Sequence, residues 1–240
     1  TILAEAGQSA AQAAGLFCDP PPPLEITAAL IEPNPTVASV NVNLPGPGGS
    51  DTDNENTLPV NISAEESDDD YELAAELQSD AQIEISGPLA TFSGSVAARL
   101  SLARIQLLSG FGGEASGEIE WSVSFTISTS ADYRLTVNNG GSLSGVPNSC
   151  AGSIGVLLSE NNPGDVQAFY ADGCGNSYPN AVSEVVEGTL EAGTYLLTVT
   201  SDTPLDSNWL LEGSFSNPEL LINSAFALEL TEEGEDFPSD

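Results

Sequence analysis

The chain has no lysine, no histidine and no methionine, and its only side-chain cations are Arg99, Arg104 and Arg134. Without an imidazole or a lysine amine, the commonest general bases, Schiff-base nucleophiles and phosphate-binding groups are missing. Most enzyme mechanisms thereby lose a required part, and the expectation is a protein that is not an enzyme. No run approaches the roughly 18 apolar residues that a membrane span requires, so no membrane insertion is expected. The lack of methionine makes Thr1 an expected processed terminus, with any signal peptide or anchor lying outside these residues. Cysteine is scarce and odd in number, at Cys18, Cys150 and Cys174.

What is abundant is acid. The chain carries 36 Asp and Glu residues and a formal net charge of -33 over 240 residues. At ordinary salt such a charge repels polyanions over about 10 Å, which disfavours nucleic acid, anionic lipid headgroups and phosphorylated partners. Cationic partners and divalent metals, Ca2+ foremost, remain. The wide spread of the acids also fits solubility in brine or seawater. A hydrophobic fraction of 40% is enough to build a core, which argues against global disorder.

Residues 1–23 read as an N-terminal arm. They are alanine-rich, carry a loose helical stripe from Ile2 to Phe17, and end in the stiff polyproline spacer Pro20 to Pro23. A short lone helix is marginal in water, so the arm needs a surface, its own domain or a neighbouring subunit. Residues 24–86 alternate short apolar runs (24–31, 37–44, 58–62, 71–77 and 81–85) with Pro, Gly, Asn and Asp, and read as a β-rich first layer or small domain. The Pro/Gly-rich linker from Pro45 to Ser50 places the acids that follow it on a loop.

From Thr91 onward the period-2 signal strengthens. Phe92 to Leu102 alternate apolar and polar, and a phase slip at Ile105 predicts a bulge near Ala103 and Arg104. Ile119, Trp121, Val123, Phe125 and Ile127 alternate with polar residues, the pattern of a strand with one wet face. Further strands are expected at 133–137, 154–158, 166–170, 182–186, 195–199 and 209–215, with a last one carrying Leu220 to Leu230. Residues 87–232 form the expected main domain and 233–240 an acidic tail. The fold class is all-β, an antiparallel β-sandwich or jelly roll with a short N-terminal arm.

Four segments carry a family resemblance: SVSFTIS at 122–128, ADYRLT at 131–136, EGTLEAGTYLLTV at 187–199 and SAFALELT at 224–231. Over about residues 90–232 the chain resembles the secreted bacterial β-sandwich ectodomains of PEP-CTERM-type surface proteins, and it is similar to jelly-roll modules of secreted peptidases. In the shared turn phrase, Gly193 permits a tight turn into a strand and Tyr195 packs its ring while its hydroxyl reaches the sheet end. The resemblance implies export to the surface or matrix of a bacterial cell, and a scaffold without a shared activity. The chain departs from the pattern at its end, where EEGEDFPSD holds neither a Pro-Glu-Pro sorting signal nor a membrane segment. Sorting was then completed by cleavage or never applied.

Candidate sites are acidic. Asp51, Asp53 and Glu55 stand at alternate positions, as in the first half of a calcium loop. The second half departs from it, with Asn56 where the turn glycine belongs and Ile62 where the bidentate glutamate belongs. Glu65 to Asp70 are denser, and Glu66, Asp68 and Asp70 are candidate ligands, because so many carboxylates repel unless a cation or solvent screens them. Each cluster also reads as a plain solvated turn. Nothing marks any two of the acids as a glycosidase pair, and Thr1 as a nucleophile sits on the arm, away from any oxyanion hole. In an exported chain Cys150 and Cys174 are the natural disulfide, closing a loop worth roughly 3 to 4 kcal/mol. Cys18 is left over, for an intermolecular bond or a buried thiol. Trp121 is expected in the core, whereas Trp209 and Tyr178, if exposed, suit sugar stacking. Asn61 opens the sole glycosylation sequon.

Two functions follow as expectations. The first is an extracellular structural protein, a filament, sheath or matrix subunit that partners itself, its arm docking on a neighbour. The second is a calcium-assisted carbohydrate-binding or adhesion module, with a glycan as partner.

Overall fold

The structure is a computed structural model and describes residues 22–31, 35, 37–43, 50–67, 71–104, 114–144, 153–160, 166–173, 182–206 and 219–237. They form thirteen strands: β1 (Ile26–Leu30), β2 (Val37–Asn43), β3 (Ser50–Asn54), β4 (Val60–Ser67), β5 (Tyr71–Ser86), β6 (Leu89–Arg104), β7 (Glu114–Ile127), β8 (Ala131–Ser144), β9 (Ser153–Glu160), β10 (Val166–Gly173), β11 (Val182–Leu190), β12 (Gly193–Asp206) and β13 (Glu219–Glu232). All pairings are antiparallel. One sheet has the order β10-β9-β12-β7-β2-β3, with β1 also on β7, and the other β11-β8-β13-β6-β5-β4.

The pairings identify the topology. β9 pairs with β10, β8 with β11, β7 with β12 and β6 with β13. That nesting is one long hairpin, four strands to an arm, rolled up so that alternate strands fall in opposite sheets, which is a jelly roll. Residues 89–232 complete it. β1, β2 and β3 then extend the first sheet beyond β7, and β4 and β5 extend the second beyond β6.

This arrangement corrects the expected division of the chain. Residues 24–86 are neither a layer nor a separate unit, because they supply strands to both sheets. The expected boundary at 86/87 falls inside the β5–β6 hairpin, whose turn has Gly87 at a φ of 63°. Pro88 cannot take positive φ, so the turn is the type II′ form that suits strand twist.

The core lies between the sheets. Along β7 the odd-numbered stripe Ile119, Trp121, Val123, Phe125 and Ile127 is buried, as period-2 alternation requires. Aromatic rings join the layers, Phe92 of β6 stacking on Phe125 with centroids 4.9 Å apart and Trp121 meeting Phe226 of β13 at 5.4 Å, while Phe125 also stacks on Tyr195 of β12 within its own sheet at 5.6 Å. Such pairs add about 0.5 to 1.5 kcal/mol each beyond their area.

The runs 71–77 and 81–85 are one strand. Among the separating residues 78–80, Ser79 and Asp80 do not turn the chain, because their side chains are satisfied by the neighbouring strand β6 and, for Ser79, by Trp121 of the facing sheet. Ser79 Oγ donates to the Ser95 carbonyl (2.8 Å) and accepts from Trp121 Nε1 (3.2 Å). Asp80 Oδ1 accepts from the Ser95 amide (2.8 Å) and hydroxyl (2.7 Å). Gly94 faces this node, where a Cβ would collide with the Asp80 carbonyl and the Phe226 ring. The bulge expected near Ala103 and Arg104 is not found there: β5 and β6 stay in register through Tyr71 and Arg104. A register shift falls instead between Val166 and Ala168. Gly193 is not in the left-handed region, so that corner does not draw on glycine's conformational freedom. The expected strand at 209–215 lies outside the described residues.

Candidate functional surface

Of the acids singled out by the sequence, Asp51, Asp53, Glu55 and Glu66 lie along the flank formed by β1 to β5. Asp51 and Asp53 are not on a loop. Ser50–Asn54 is strand β3, held to β2 in a register running from Ser39 and Asn54 to Asn43 and Ser50. The linker therefore ends one residue earlier than the proline and glycine content suggests, because the partner strand β2 extends Ser50 to Asn54.

β3 and β4 are the outer strands of the two sheets, and the aspartates join them. Asp51 Oδ2 accepts from the Glu65 amide (3.1 Å) and Asp53 Oδ2 from the Ser63 amide (3.3 Å). The other oxygens accept from the Thr52 and Asn54 amides at 3.0 and 2.9 Å. Each step back along β4 matches a step forward along β3, so carboxylates replace main-chain carbonyls as rungs of an antiparallel ladder. Edge amides that would otherwise face water, or another chain, are occupied. The rungs are exposed, so each contributes about 1 kcal/mol.

Glu55 continues the corner: its amide donates to the Ala38 carbonyl (3.1 Å), and its carboxylate accepts from the Asn56 amide and the Thr57 hydroxyl. Glu66 is in β4, opposite Leu73. The structure thus brings Asp51 and Asp53 together as edge acceptors and gives Glu55 a turn to cap. No group of three or more metal-ligating side chains converges among the described residues. Asp68, Asp70, Cys18, Cys150, Cys174, Trp209, Tyr178 and Thr1 lie outside the described residues. Trp121 is buried in the core.

On the outer face of the second sheet, Arg134 of β8 stands in register between Glu187 and Glu229. It bonds Glu187 at 2.8 Å, approaches Glu229 at 3.9 Å, and lies 4.4 Å from the Phe237 ring centroid. The tail reaches it through a turn closed by the Glu235 amide on the Glu232 carbonyl, with Gly234 at a φ of 85°. Arg99 bonds Glu219 at 2.7 Å, and this bond, with the charges of Glu219 and Glu76, raises its pKa. These surface pairs are worth little individually. The cross-strand spacing of Arg134 and its glutamates was invisible without the pairing register.

Shallow concavities mark the described surface. One of about 560 Å³ wraps the β5–β6 hairpin tip, lined among others by Ile83, Ile85, Leu89, Ala90, Glu229 and Leu230. One of about 300 Å³ lies beside Pro59, Gln78 and Asp80, and one of about 510 Å³ lies where Pro22 to Leu24 meet Glu232. At that last place the chain enters the fold. Leu24 is buried, its amide donates to Glu232 Oε1 (3.4 Å), and Pro22 and Pro23 are exposed.

Fold and surface together define a class: a jelly-roll β-sandwich widened by five strands on one flank. No protein-family model matches the chain, and no curated protein matches it. Among solved structures it is similar to infectious bursal disease virus, Gx strain and Gt strain, each at 9% identity and a TM-score of 0.23, covering 90% of this chain and 71% of that chain. A likeness of that size carries no argument about fold or function.

Proposed function

We propose that the chain is a non-catalytic structural protein of an extracellular or cell-surface assembly, a self-assembling subunit whose N-terminal arm docks on a neighbouring copy. The observation that carries this reading is the way the chain enters the fold. Among the described residues burial begins at Leu24, and Pro22 and Pro23 just before it are exposed. A proline run is extended and stiff, so it projects what precedes it away from its own domain. The family resemblance, with its expectation of export, supports the same setting, and a net charge of -33 keeps such subunits soluble until they assemble.

The test is the particle size of the full chain, by sedimentation and negative-stain electron microscopy, with millimolar calcium and with a chelator. Regular polymers are the expected result. A monomer under every condition overturns the reading and turns attention to the carbohydrate-binding alternative, to be tested on a glycan array.

A further inference from the structure

We infer that the free lower edge of β5, residues 80–86, accepts residues 1–19 of a second copy of this chain as an added strand that covers Ile83 and Ile85. This rests on the self-assembly proposed above and names its acceptor.

The edge is defined by register. β4 pairs with β5 only between Glu72 and Ser79. β5 runs on to Ser86, and among the described residues no strand lies beyond residues 80–86 on that side. Seven residues offer roughly 23 Å of unpaired main chain at about 3.3 Å per residue. Across the sandwich, β1 lies against β5 and likewise has no described strand outside it.

The same flank holds the apolar surface that the fold leaves uncovered. Of the six half-buried hydrophobic residues packed on the core among the described residues, Ala28, Leu30, Leu58, Ala81 and Ile83 are here, and Val186 is not. Two of the three exposed large hydrophobic residues among the described residues, Ile31 at 38% and Ile85 at 42%, are here as well. The 560 Å³ cleft lies along Ile83 and Ile85. Unpaired amides beside uncovered isoleucines are what an incoming extended segment satisfies, through main-chain bonds and alternate side chains.

Position and chemistry pick the occupant. Ile85 is opposite Ala90, Ala90 opposite Leu230, and Glu232 holds Leu24, so the arm leaves the fold at the same end as this edge. A proline run such as 20–23 is stiff and extended, at about 3.1 Å per residue, which favours reach to a neighbour over a turn back into its own edge. Residues 1–19 contain no proline, so every main-chain amide can join a ladder, and they carry Ile2, Leu3, Leu16 and Phe17. Their only charged side chains are Glu5 and Asp19. Two subunits of net charge -33 repel each other, and Glu84 and Glu229 line the cleft, so a nearly neutral segment is the part of a neighbour that approaches with least cost.

The experiment uses two full-length variants. The acceptor variant is Ile85→Lys, a side chain exposed enough to change without unfolding the protein; the donor variant is Ile2→Ser, Leu3→Ser, Leu16→Ser and Phe17→Ser together. Circular dichroism checks that both fold, and sedimentation reads size. The expected result is polymer for the unsubstituted chain, monomer for each variant alone, and a dimer when they are mixed one to one, since each supplies the half the other lacks. If the unsubstituted chain polymerises and Ile85→Lys does too, the arm docks elsewhere: the inference is overturned and self-assembly stands. A monomeric unsubstituted chain whose thermal midpoint falls with either variant means that the arm fills its own edge, which overturns the second-copy occupant. A monomer indifferent to both overturns the inference and the self-assembly reading together.

Discussion

Along its length β5 passes from one kind of edge to another. Between Glu72 and Ser79 it is covered by β4, whose own outer amides at Ser63 and Glu65 are taken by Asp51 and Asp53. Between Asp80 and Ser86 the same strand has no described neighbour on that side, and its inward-facing Ile83 and Ile85 emerge half-covered and exposed. The upper half spends charged side chains on closing a sheet edge, and the lower half leaves apolar side chains beside an open one. A protein that only needed to stay soluble would gain from stitching both. The difference marks the lower half as a surface with a use, and it locates that use one strand away from where the acidic motif drew attention.

The contrast breaks most directly by shortening side chains on the inner face of β5. Leu77 is fully buried and Ile85 is 42% exposed. Leu77→Ala should cost about 2 to 5 kcal/mol, and Ile85→Ala under about 1 kcal/mol, in urea unfolding of the monomer. Equal costs would mean that the lower half is as well packed as the upper.

Removing the stitches tests the upper half. Asp51→Ala combined with Asp53→Ala should lose about 2 kcal/mol, whereas the double Asn variant, which keeps an acceptor oxygen at each site, should lose less. Amide hydrogen exchange at Ser63 and Glu65 should accelerate in the Ala variant and not at Ile62. Unchanged exchange at both amides would refute the ladder.

Tyr195 offers a control away from the flank. Its hydroxyl donates to the Glu191 carbonyl at 2.8 Å, so Tyr195→Phe should cost about 1 kcal/mol. Burial, then the charges of Glu160 and Glu191, raise its pKa above the ordinary 10.0, and burial raises that of Tyr133 as well. A phenol held neutral in the fold stabilises fully below the unfolded-state pKa; as pH rises past it the unfolded chain releases the proton first, and stability falls through the folded-state pKa. Unfolding midpoints should therefore decline above about pH 10, less steeply in Tyr195→Phe. An identical slope in the variant would sink this assignment.

The smallest effect concerns calcium. If Asp51 and Asp53 serve as amide acceptors, millimolar Ca2+ should move the thermal midpoint of the monomer by less than about 1 °C, since only a ligand bound by the native state stabilises it. A rise of several degrees would return these acids to a cation.

Strand identity was legible because alternation is a local property of the pleat. The stripe on β7 and the runs on β8, β11, β12 and β13 need only period 2 to be recognised. Boundaries failed where a side chain changed the meaning of a residue. Ser79 and Asp80 read as punctuation, yet they bond Ser95 and Trp121 within one continuous strand. Asp51 and Asp53 read as half a calcium loop because acid spacing says nothing about which amides lie opposite.

By itself the sequence determined an all-β chain with a buried stripe on each main strand and an acidity that disfavours anionic partners. Only the tertiary structure decided that β6 to β13 nest as a jelly roll, that residues 24–86 widen both sheets, and that one half of β5 is closed while the other is open. Alternation is encoded within a few neighbouring residues, whereas pairing depends on residues far apart in the chain, as Glu232 is from Leu24. Those contacts exist only once the sheets have assembled.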